Sequence, residues 1–96
     1  MKPRELIIPP IALTDPRAVE IVRAWVAHND QHVSLRHDHW TDPFTWRRFL
    51  ADLAGHLGNA FEDSGRERSE TIRLIREGFN EELDRPTDIP EGGIMD

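Results

Sequence analysis

The tripeptide Thr-Asp-Pro occurs twice, at Thr14-Asp15-Pro16 and Thr41-Asp42-Pro43, and it divides the chain. Thr or Asp caps the free N–H groups of a helix and Pro suits its first turn, so each copy predicts a helix start. The first predicts a helix from Thr14 to about His28. Ala18, Ile21, Val22, Trp25 and Val26 would be its buried stripe, and Asn29-Asp30 its end. The second predicts the strongest element. Trp46, Phe49, Leu50, Leu53, Leu57, Ala60 and Phe61 recur at helical spacing over about twenty residues, with Gly65 as terminator. Gly55 and Gly58, three apart, allow close backbone approach, and the expectation is packing against the first helix. A last helix starts between Ser64 and Ser69 and runs to about Arg85, with the narrow stripe Ile72, Ile75, Phe79 and Leu83; Pro86 stops it.

Between the first two helices, Gln31-His32-Val33-Ser34-Leu35-Arg36-His37 alternates. Val33 and Leu35 share one face, and His32, Ser34 and Arg36 the other, the pattern of a half-buried strand. One strand cannot satisfy its own backbone. It must pair with the N-terminal arm, with a short return strand near Asp38–Trp40, or with another copy of the chain. The arm, residues 1–13, carries Pro3, Pro9 and Pro10, which favour an extended path. Its apolar Leu6, Ile7, Ile8, Ile11 and Leu13 are expected to lie over the body, with a short strand at Glu5–Ile8.

The chain therefore reads as one α+β domain of residues 1–96, mostly helical. It has an extended N-terminal arm (1–13), a folded body (14–85) and a loose tail (86–96). Three helices and one short β-strand follow the order arm-α-β-α-α-tail.

Composition narrows the chemistry. The 96 residues include no Cys, which excludes disulfides, thiol nucleophiles and thiolate zinc sites. Twelve basic against eighteen acidic side chains leave a formal charge of −6. A phosphate-tracking nucleic-acid binder would need a basic stripe, so no nucleic-acid partner is expected. Eleven of the twelve basic residues are arginines, but they are spread among acids and mark no anion site. Residues 61–96 hold all the excess acidity, whereas every histidine lies between His28 and His56. The apolar run Leu6-Ile7-Ile8 is too short for a leader or a membrane span, so the expected location is the cytoplasm.

His37-Asp38-His39 is the densest histidine cluster. On an extended backbone its two imidazoles would face the same way and could grip one metal, with His32 or one of Asp30, Asp38 and Asp42 as a further ligand. No third ligand follows at diagnostic spacing, so a solvated turn is the favoured reading, and neither a metal nor a cofactor is expected. His56, between Leu53 and Leu57, could serve as a general base; a hydrogen-bonded residue at the edge of the core is the simpler reading. No nucleophile context accompanies it. Trp40, Phe44 and Trp46 flank the second helix start. They read first as a hydrophobic staple, then as a partner surface or a ligand pocket.

The segments Ile8-Pro9-Pro10, Asp15-Pro16, Ala24-Trp25, His32-Val33-Ser34-Leu35, Asp42-Pro43…Trp46, Leu50-Ala51-Asp52-Leu53-Ala54-Gly55-His56 and Pro86-Thr87-Asp88 together resemble one small bacterial family. Its members are stand-alone proteins of about this length, catalogued as a domain of unknown function. The shared motifs serve packing and capping, so the resemblance implies no catalytic or binding residue. The function expected is a non-enzymatic protein–protein interaction module acting as a homodimer. The strand around Val33–Arg36 would pair with its copy, and Val33, Leu35, Trp40 and Phe44 would form the contact surface. The alternatives are a metal- or ligand-binding protein using His37 and His39, and a small acid–base enzyme.

Overall fold

The computed structural model describes residues 2–87. They form helix α1 (Pro10–Thr14), strands β1 (Val22–Ala27) and β2 (Asp30–Leu35), a 3₁₀ turn (Pro43–Thr45), and helices α2 (Trp46–Asp63) and α3 (Arg68–Asp84). The chain is α+β and about half helical, with two strands where one was expected. Its described residues gather into two compact units, with the division in the chain after Arg36. Pro86 and Thr87 follow α3 as a short non-helical segment, and the rest of the expected tail lies outside the described residues.

In the first unit, residues 2–9 are extended without strand pairing, so the short strand expected at Glu5–Ile8 is not formed. The prolines do not bar a helix from the whole arm, because Pro10 occupies the first turn of α1, where its missing N–H costs nothing. Leu6 and Ile7 are 95% and 87% exposed.

The helix expected from Thr14 to His28 is also absent. Asp15 accepts the Arg17 N–H at 2.8 Å and its carbonyl accepts that of Ala18 at 3.0 Å. Thr14-Asp15-Pro16 therefore ends α1 and begins a turn. Beyond it, β-branched Val19, Ile21, Val22 and Val26 favour a pleated strand. The spacing of Val22, Trp25 and Val26 fits a helix, but pairing with β2 overrides it.

The two strands form an antiparallel hairpin in the register Val22↔Leu35 to Ala27↔Asp30. The two-residue loop His28–Asn29 has both φ angles positive, 51° and 63°, the pattern of a type I′ turn that matches strand twist. So β2 pairs with β1, and not with the arm, a return strand near Asp38–Trp40, or a copy.

In the second unit, Asp42 caps the 3₁₀ turn by accepting the Phe44 N–H at 3.0 Å. The second Thr-Asp-Pro thus starts its helix as predicted. Gly65, at φ 99°, ends the α2 connection in the left-handed region that suits glycine. Helix α3 folds back on α2 through the small residues of α2. Gly58 is buried, and a Cβ there would stand 3.0 Å from Ile72 Cδ1 and 3.2 Å from Arg68 Cγ. One at Gly55 would stand 3.4 Å from the Arg68 guanidinium. The glycine pair therefore seats α3, and not the helix expected before the strand. Arg68 also donates to Asn59 Oδ1 at 2.7 Å.

Candidate interaction surfaces

Apolar side chains lie uncovered in both units. Among the described residues no hydrophobic side chain is buried, and fifteen large ones are exposed. A folded chain of this size normally places its Leu, Ile and Phe inside, so these surfaces are the candidates for function.

In the hairpin, cross-strand partners share a face. Val22, Ala24, Val33 and Leu35 form an apolar patch on one side, and Arg23, Trp25, His32 and Ser34 lie on the other. Val33 and Leu35 thus share a face, as the alternation predicts. The Arg36 N–H donates to the Ile21 carbonyl at 2.9 Å. With a two-residue loop, this phase turns the backbone of Gln31, Val33 and Leu35 toward the outer edge of β2. His32 Nε2 lies 3.2 Å from the Ala27 carbonyl, so that nitrogen must be the donor. The arm, α1 and residues 18–25 border an open cavity of about 730 Å³, with Leu6, Ile8, Leu13, Val19 and Trp25 on its walls. Arg23 ties the arm to this region. It donates to Glu20 at 3.0 Å and to Glu5 at 3.1 Å, and the paired carboxylates raise its pKa further above its ordinary value.

In the second unit, an aromatic ladder leads into α2. His39, Trp40, Trp46 and Phe49 follow one another edge to face, with centroid separations of 5.0, 5.0 and 6.0 Å. Trp46 Nε1 donates to the Trp40 carbonyl at 3.2 Å. Trp40 and Trp46 therefore brace the start of the helix, as a staple does. Phe44 stands apart, 66% exposed, with the Arg47 guanidinium 3.6 Å above its ring. His37 and Asp38 lie in a turn, so the extended geometry that would align His37 with His39 is not present. No group of three metal-ligating side chains is gathered among the described residues. His56 is exposed on α2 and not at the edge of a core.

Helix α2 carries two distinct stripes. Ala51, Ala54, Gly55 and Gly58 face α3 and the open groove of about 400 Å³ beside it, where Ile72, Ile75 and Phe79 line the far wall. Leu50, Leu53, Leu57 and Phe61 form the other stripe and are 42–47% exposed; Leu50 also borders the groove. A stripe of this spacing ordinarily faces a core, and here it is uncovered. The signal that separates the two is the spacing of small residues at i, i+3, i+4 and i+7 from Ala51, which marks the seat of a neighbouring helix.

The outer surface of α3 is charged. Arg73 bridges Glu70 and Glu77, the latter at 3.0 Å. Hydrogen bonding to Arg73 holds the Glu70 carboxyl below the ordinary carboxylate range. Thr87 does the same for Glu82 through its hydroxyl and its N–H. No helix among the described residues is long and apolar enough to cross a membrane.

Comparison with known proteins adds a family and a fold. A family model described as a domain of unknown function (DUF5076) matches residues 5–87. A solved structure, described as "a putative pyruvate dehydrogenase from the photosynthetic bacterium Rhodopseudomonas palustrus CGA009", is similar over nearly its whole length. It shares 27% identity with a TM-score of 0.79, covering 99% of this chain and 98% of that one. No curated protein matches the chain.

Proposed function

The chain belongs to the DUF5076 family of domains of unknown function, and from that premise we propose that it is a non-enzymatic interaction module working as a homodimer. The observation that carries the reading is the uncovered apolar surface: Gly58 and Thr71 are the only buried residues among those described. Two-layer packing needs an apolar stripe to be buried against another element, and exposed patches of this kind mark protein–protein contacts. The arrangement first suggested by the sequence, antiparallel pairing of Val33–Arg36 with its copy, fits the outer edge of β2. There Gln31, Val33 and Leu35 keep their outward backbone groups, whereas the Arg36 N–H is committed to Ile21.

Sedimentation equilibrium across micromolar concentrations tests the proposal. Twice the chain mass is expected, and a single monomer mass throughout overturns it. An acid–base enzyme would require a pocket around His56, which is exposed on α2. A metal-binding protein would require a third ligand beside His37 and His39, and elemental analysis of the purified protein tests that alternative.

A further inference from the structure

We propose that two copies join through the bulky face of α2, stacking two α2–α3 hairpins into a four-helix bundle; this rests on the homodimer reading above and places its contact on α2 in place of the edge of β2. The seat of α3 on α2 is already settled by Gly55 and Gly58, whose missing Cβ atoms make room for Arg68 and Ile72. Leu53, Leu57 and Phe61 lie on a different side of α2 at three- and four-residue spacing from Leu50, which stands where this stripe borders the groove. Leu74 of α3 joins them. It follows buried Thr71 by one helical turn, whereas the groove on the other side of the hairpin is lined by Ile72, Arg76 and Asn80 together with Ala51 and Gly55.

The area fits a second copy. These five side chains, each 42–47% exposed, offer on the order of 400 Å² of apolar surface per copy. A standard interface buries about 800 Å² per partner, of which just over half is apolar. The match suits a self-complementary two-fold contact.

Charge complementarity also points to a copy of this chain. Arg47 and Arg48 occupy the first turn of α2, and Glu62 and Asp63 the last, each against the preference of the helix dipole. On α3 the end is acidic through Glu81, Glu82 and Asp84, whereas at its start Arg68 stands with Glu67 and Glu70, so α2 alone carries a basic start. When the two α2 helices cross antiparallel, the basic start of each lies beside the acidic end of the other. In a bundle with parallel neighbours across the interface, like charges meet. Exposed pairs add little affinity, so the charges set direction while the apolar stripe supplies the attachment.

The test uses the full chain. Leu57→Glu is expected to weaken self-association about a hundredfold or more, as for a central interface residue, while helical circular dichroism is retained. Asp52→Lys, off the stripe, is expected to leave association unchanged. Because the chain has no Cys, a single cysteine is unique. Leu57→Cys should be captured as a dimer by a short bis-maleimide, and Asp52→Cys should not. This second measurement holds even if Leu57→Glu fails to fold. A monomeric wild-type chain overturns both this inference and the homodimer reading. A wild-type dimer that persists in Leu57→Glu, gives no Leu57→Cys capture and dissociates in Val33→Pro overturns the inference alone and returns the contact to the edge of β2.

Discussion

Ile72 fills the space that a side chain at Gly58 would occupy, its Cδ1 lying 3.0 Å from where a Cβ would stand. This contact fixes the sign of a substitution series. Replacing Gly by Ala inside a helix ordinarily gains about 1 kcal/mol. Gly78, with nothing within 4 Å, should show that gain as a raised melting temperature in Gly78→Ala. Gly58→Ala should instead lose about 1–2 kcal/mol, because α3 must shift to admit the methyl group. Thermal unfolding of the two variants side by side checks the contrast, and a gain at both positions would refute the close approach.

Asp42 satisfies the Phe44 N–H at the start of the 3₁₀ turn that leads into α2. Asp42→Ala should cost about 1 kcal/mol, whereas Asp42→Asn, which keeps an acceptor oxygen, should cost a few tenths at most. Urea denaturation monitored by tryptophan fluorescence measures both, since Trp40 and Trp46 stand beside the cap.

The β-hairpin turns on two non-glycine residues of positive φ, His28 and Asn29. Asn tolerates that region better than His, and Gly better than either. Asn29→Gly should therefore stabilise the hairpin by about 0.5 kcal/mol, and His28→Val should destabilise it by about 1 kcal/mol or more. Slower exchange of the hydrogen-bonded β2 amides in Asn29→Gly is the expected readout, and faster exchange would refute the turn assignment.

Glu70 titrates below the ordinary carboxylate value because Arg73 hydrogen-bonds its ionised form. A depressed folded pKa adds stability above the unfolded value, near 4.3. That stability is lost as pH falls through the lower folded pKa. Arg73→Gln should return the Glu70 carboxyl to the ordinary range in a carbon-detected NMR titration and make stability less dependent on pH in the acid range. An unchanged Glu70 titration would refute the pairing. Both groups are exposed, so the effect should shrink with added salt.

The second unit was largely legible in the sequence. Asp42-Pro43, the apolar spacing from Trp46, Gly65 and Pro86 mark α2 and α3 because capping and terminating chemistry is local. The first unit was not. Val22, Trp25 and Val26 satisfy a helical stripe and a strand equally, and the deciding partner lies beyond a turn without glycine. Pro10 reads as a helix breaker until its first-turn position is known. On the candidate surface, Val33 and Leu35 share a face as their alternation requires. The bulky residues of α2 are legible as an apolar side, but periodicity does not show what covers it. His37 and His39 fail to align for a similar reason: the chain turns just where an extended path was assumed.

The elements that pack on one another are neighbours in sequence, β1 with β2 across two residues and α2 with α3 across four. Contacts this local have low contact order and close quickly, without waiting for distant segments to find one another. The slow step then falls outside the single chain. If copies complete the apolar faces, refolding of the hairpins should be independent of concentration, whereas final stability rises with it, so the amount of protein in the cell becomes a determinant of how well each molecule is folded.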